Sequence, residues 1–185
     1  MSQAARQADK PASRRGVVAT SFLSLCPVVS GSALVLGYGN ELRGDDGVGP
    51  QIARAVAALG LPNVRTLALH QLSPELTELL ADAGYALFVD AYHQAGTGSN
   101  VTLRPIAPLE RPAVSAHVAD PSALLALTQV VYGRCPRAWS IAVPAASFEY
   151  GVNLSPTATM GVAAALRLIR YLLVTLRSEP CTRSG

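Results

Sequence analysis

Two aspartates stand side by side in a loop that carries five glycines: Gly37-Tyr38-Gly39-Asn40-Glu41-Leu42-Arg43-Gly44-Asp45-Asp46-Gly47-Val48-Gly49. The loop is not a dinucleotide fingerprint. After Gly37-x-Gly39 no third glycine falls in register, and two carboxylates would repel a pyrophosphate. Nor is it a phosphate-binding loop of the GxxxxGK[ST] type, because no lysine follows. Asp45 as a helix cap, with Asp46 at the positive end of that helix, accounts readily for one aspartate. Two of them in so glycine-rich a loop imply that something positive is also held nearby.

Asp90 is the second singular residue, since it ends the apolar run Ala86-Leu87-Phe88-Val89. A carboxylate there is costly if buried unpaired. It serves either as a cap or arginine partner, or as a group facing the ligand crevice at the sheet's carboxyl edge. The chain has three histidines, His70, His93 and His117, each just after an expected strand or just before an expected helix. Taken singly, each is more simply a surface or hydrogen-bonded histidine. Two carboxylate oxygens and one imidazole nitrogen, however, suit a divalent transition metal and leave coordination positions for a substrate. No HExxH motif is present, and no Ser-His-Asp or Cys-His arrangement stands out. Cys135, expected at a helix C-terminus where the dipole raises a thiol's pKa, is read as structural, and Trp139 as core.

Alternating elements must position these residues. Residues 33–37 read as a buried strand, and residues 48–59 as a helix with Val48, Ile52, Ala55, Val56 and Leu59 on one face, stopped by Gly60 and Pro62. Residues 64–69 form a second strand. Ser73-Pro74-Glu75 has the cap, first-turn proline and early carboxylate of a helix start, with Leu76, Leu79 and Leu80 as its apolar face up to Gly84. Strands at 86–90, 100–104 and 139–143 follow, with a helix from Asp120-Pro121 to Gly133 and a last one opening at Ser155-Pro156. This alternation predicts an α/β fold: a mostly parallel, twisted sheet with helices on both faces.

The bulk properties agree with one domain. Of 185 residues half are hydrophobic and 15% charged, which suits a sheet covered on both sides. The net charge of +3 lies in the tails; residues 31–176 hold nine arginines against ten acidic residues, so no basic stripe for nucleic acid is expected. Three widely spaced cysteines without a CxxC pair point to a reducing cytoplasm rather than a disulfide framework or zinc site. Ser13-Arg14-Arg15 resembles a twin-arginine signal, but Pro27 interrupts the apolar stretch and no clear cleavage site follows. Residues 1–30 read as a disordered or over-long extension, 31–177 as the domain and 178–185 as a flexible tail. Residues 157–176 have membrane-spanning length, yet Arg167 and Arg170 make them an amphipathic packing helix.

The glycine-rich loop resembles the G-x-G-N-x-L-x-x-D-[DE]-x-x-G signature of hydrogenase maturation proteases. The resemblance continues through Phe88-Val89-Asp90-Ala91, the His117 segment and Asn153-Leu154-Ser155-Pro156. It implies a three-layer α/β/α sandwich, and an endopeptidase that trims the C-terminus of a [NiFe]-hydrogenase large-subunit precursor once nickel has been inserted. The nickel is recognised in the substrate and is bound by the enzyme at most transiently. Carried over by motif, the catalytic and metal-contacting residues are Asp46, Asp90 and His117, with His93 and His70 as alternatives to the last. His70-Gln71-Leu72-Ser73-Pro74 departs from the Asp-Gly-Gly-Thr segment of some members, which leaves the hydrogenase partner open. A non-catalytic nickel-checking protein on the same fold is the alternative function.

Overall fold

The computed structural model describes residues 32–93, 100–110 and 120–178. Among the described residues five strands form one sheet: β1 (Ala33–Tyr38), β2 (Val64–Leu69), β3 (Tyr85–His93), β4 (Thr102–Ile106) and β5 (Arg137–Ala145). Their order is β2-β1-β3-β5-β4; all neighbours run parallel except β4, which pairs antiparallel with β5 at the edge. The short connection from His93 to Thr102 explains that exception, because a parallel return needs a crossover of about a dozen residues or more.

Helices cover both faces, as the alternation predicts. Helices α1 (Val48–Ala57) and α4 (Pro156–Ser178) pack on one face over Ala33, Val35, Tyr85, Leu87, Val89, Ile141 and Val143. Helices α2 (Leu76–Ala81) and α3 (Pro121–Tyr132) pack together on the other, over Leu34, Leu36, Ala86 and Phe88. Successive strand side chains point to opposite faces, so buried runs in β1 and β3 feed both layers at once. Helix α4 is long and apolar enough to cross a membrane. Its stripe Ala158, Ala165, Ile169, Leu173 and Leu176 is buried in the core, while Arg167 and Arg170 lie on its exposed side.

Some boundaries differ from the sequence reading. Helix α1 ends at Ala57, and Leu59 is exposed rather than part of the apolar face; Gly60 and Asn63 take positive φ in the turn that follows. The Ser73-Pro74 segment forms a separate turn, closed by bonds to Ser73 and Pro74 carbonyls, and α2 begins only at Leu76 without a side-chain cap. The start of α3 matches: Asp120 accepts from the Ser122 N–H at 2.8 Å, and Gly133 closes the helix in the left-handed conformation. Strand β3 continues to His93, three residues beyond Asp90. Trp139 is half-buried against the α1/α4 layer, its ring 6.2 Å from that of Tyr85.

Candidate carboxylate site at the sheet edge

From β1 the chain moves to one side to form β2 and then crosses back to form β3 on the other side of β1, so the strand order reverses between β1 and β3. Such a switch point opens a crevice at the carboxyl ends of the strands. Parallel pairing of Gly37 with Val89 places the next residues, Tyr38 and Asp90, side by side at that edge. Both follow the parity of Leu36 and Phe88, so both face the α2/α3 side.

Asp90 is half-buried, and one oxygen accepts from the Ala91 N–H at 2.7 Å. Burial raises its pKa to about 6; bonds from Ala91 and the Tyr38 hydroxyl pull it down, and the charge of Asp46 pushes it further up. Tyr38 is raised above 10 in turn, by its own burial first and then by Asp90, with Asp120 adding to it. The turn that carries Asp46 packs against β3, and the charge of Asp46 is among the causes that raise Asp90. Like charges in a partly desolvated place raise each other's energy, which favours a bound cation.

The glycine-rich loop makes this approach possible. A Cβ on Gly37 would lie 1.9 Å from the Gly49 carbonyl oxygen, and one on Gly49 would lie 2.3 Å from the Tyr38 carbonyl oxygen. Only bare backbone lets the start of α1 press against β1 and β3. The 3-10 turn Gly44–Gly47 precedes α1 and carries both aspartates. Asp46 accepts from the Asn40 N–H at 2.9 Å, and Asn40 in turn accepts from the Leu42 N–H at 3.0 Å.

Asp45 does something the sequence did not reveal. It neither caps α1, whose N-cap is Gly47 without a side-chain bond, nor faces the crevice. It is 1% exposed and accepts four hydrogen bonds from the β5–α4 connection: the N–H groups of Ala146 (2.7 Å), Ser147 (3.1 Å) and Ser155 (2.6 Å), and the Ser155 hydroxyl (2.6 Å). Burial alone would raise its pKa, but these bonds, Ser155's foremost, outweigh that and hold it below the usual carboxylate value. A carboxylate so satisfied needs no cation. The inference of a bound positive group from the paired aspartates therefore applies to Asp46 alone.

His117 lies outside the described residues. Among those described, no group of three His, Cys, Asp or Glu residues is arranged around a common metal position. His93 points to the face opposite Asp90 by strand parity, and its ring lies 5.8 Å from that of Phe148. His70 follows β2, two strands from β3 and so about 10 Å away at the usual strand spacing. Neither joins the carboxylate pair. On the other side of the loop, a groove of about 480 Å³ is lined by Glu41, Leu42, Gly44, Gly47, Gln51, Arg54, Val152 and Leu154. Its two charged residues, Glu41 and Arg54, are paired with each other, and Leu42, Tyr150 and Val152 in the loops around it are exposed.

Neither a protein-family model nor a curated protein sequence matches the chain. Solved structures do. The hydrogenase maturating endopeptidase HybD from Escherichia coli superposes with a TM-score of 0.62 at 22% identity, over 78% of this chain and 93% of that one. The [NiFe] hydrogenase maturation protease HycI from Thermococcus kodakarensis KOD1 gives 0.60 at 21%, over 79% and 94%. A further Escherichia coli endopeptidase, solved in solution, gives 0.60 at 24%, over 78% and 93%. This chain has the hydrogenase maturation protease fold. At these identities the likeness is one of fold, and it spans nearly the full length of those neighbours. The three-layer sandwich implied by the glycine-rich signature is thereby established, with the signature loop at the sheet's switch point.

Proposed function

We propose that this chain is an endopeptidase that removes the C-terminal extension of a [NiFe]-hydrogenase large-subunit precursor after nickel insertion, in the cytoplasm. What supports the reading is the packing of the turn that carries Asp46 against β3 at the switch point of this fold, where Asp90 is raised to about 6 by burial first and in part by the Asp46 charge. Nickel here is cargo of the substrate. The two carboxylates offer oxygen donors to a cation whose remaining ligands the substrate supplies, and His117 is expected to add an imidazole nitrogen. Asp90 is ionised at neutral pH at a cost from its burial and from the nearby charge of Asp46. A divalent cation relieves that cost, so a loaded precursor gains binding energy that an unloaded one lacks. The groove beside the loop, with apolar side chains at its rim and an internally paired Glu41 and Arg54, supports a polypeptide substrate better than a phosphorylated metabolite.

The test is incubation of the purified chain with nickel-loaded and nickel-free precursor from the same genome, followed by mass spectrometry of the precursor C-terminus. Loss of a short peptide from the loaded form alone is the expected result. If loaded precursor binds and neither form is cut, the protease reading falls and the chain is a nickel-checking accessory protein.

A further inference from the structure

Asp45 is the only carboxylate among the described residues that is fully buried. Burying an ionised group is an expensive way to join two loops, and this junction already has cheaper bonds. The Gly44 N–H donates to Gly151 at 2.7 Å, the Gly151 N–H to Leu42 at 3.0 Å, the Asp45 N–H to Ser147 at 3.1 Å, and Arg43 Nε to the Phe148 carbonyl at 3.2 Å. The Asp45 side chain adds four bonds on the turn's buried side. All four partners are donors, so only a group with acceptors on both oxygens satisfies them, and the amide of an asparagine does not. Ser155 is itself fixed, because its hydroxyl also accepts from the Ala158 N–H in the first turn of α4. The residue that this grip orients most directly is the next one, Asp46.

We propose that Asp45 is the positioning residue of the carboxylate site: its grip on Ala146, Ser147 and Ser155 fixes the turn 44–47 and so the direction in which Asp46 is presented beside Asp90. The catalytic consequence rests on the reading of Asp46 as the group that meets the substrate's nickel. Removing an outer partner that orients such a group lowers activity by about 10- to 100-fold.

The experiment compares the full chain with Asp45→Asn, Ser155→Ala, Ser155→Thr and Leu125→Ala. Ser155→Thr keeps the hydroxyl, and Leu125→Ala removes stability from the α2/α3 layer without touching the loop. Two quantities are read: the nuclear magnetic resonance shift and hydrogen exchange of the Asn40 amide, which is bonded to Asp46, and kcat and KM on nickel-loaded precursor. The proposal expects a moved, faster-exchanging Asn40 amide and a kcat lowered by about tenfold or more in Asp45→Asn and Ser155→Ala. KM should rise as well, because the reading has Asp46 help hold the nickel of the bound precursor, Ser155→Thr should restore both quantities, and Leu125→Ala should leave both unchanged. An unmoved Asn40 amide in either folded loop variant, or an equal loss of kcat in Leu125→Ala, overturns it. If Asp45→Asn does not fold, the Ser155 pair decides. If the unmodified chain cuts no precursor, the protease reading fails, while the Asn40 amide still settles whether Asp45 positions Asp46.

Discussion

Replacing Asp90 by Asn is expected to make the folded chain more stable at neutral and alkaline pH, although it removes a group on which the proposed activity depends. Burial is the largest cause of the raised pKa, opposed by bonds from Ala91 and Tyr38 and assisted by the charge of Asp46. The folded state therefore holds the Asp90 proton more tightly than the unfolded chain does. The native pKa is about 6 against 3.8, so stability falls as pH rises from about 4 to about 6 and stays lower above that. At 1.36 kcal/mol per pH unit the gap corresponds to about 3 kcal/mol, and screening of a partly exposed group reduces it to about 2 kcal/mol. Asparagine has the same shape, keeps an acceptor for the Ala91 N–H and carries no charge. Urea unfolding of both proteins in chelator at pH 4, 5, 6, 7 and 8 measures the difference. The expected curve starts near zero, grows across the interval and levels at about 2 kcal/mol in favour of Asp90→Asn. A difference independent of pH, or a variant less stable than the parent at pH 8, would refute the account of Asp90 as an ionised group held against desolvation.

Asp45 should behave in the opposite sense. Its pKa is lowered in the folded chain, so it contributes stability above about pH 4 that is lost as pH falls through its native pKa. Asp45→Ala, which orphans four donors, should cost about 3–5 kcal/mol at pH 7 by urea unfolding. Gly37→Ala forces a methyl onto the Gly49 carbonyl and should cost about 3 kcal/mol or more, seen as a lower melting temperature and loss of precursor binding. Asp46→Asn should leave the circular dichroism spectrum and melting temperature close to those of the parent, yet abolish C-terminal trimming by mass spectrometry. Glu41→Gln breaks an ion pair whose side chains are about half exposed, and the stability change should stay under about 1 kcal/mol in thermal unfolding.

The sequence by itself determined the alternation of strands and helices and the single α/β domain, and it singled out residues 37–49, Asp46 and Asp90 as candidates. Each of these is written locally: apolar runs of strand length, helical spacing of aliphatic residues, glycines beside acids, and a carboxylate closing a buried strand. The histidine that would complete the site was legible only through resemblance, and His117 lies outside the described residues. Tertiary structure decided the rest. It set β4 antiparallel at the edge, put His93 on the face opposite Asp90 and left His70 two strands from β3. It also brought the Tyr38 hydroxyl onto Asp90 and gave the two neighbouring aspartates different partners. No local pattern could have told Asp45 from Asp46. The donors that claim Asp45 lie 101 to 110 residues away in the chain, and they reach it only after the sheet has brought the end of β5 to the same edge as the end of β1, with β3 between them.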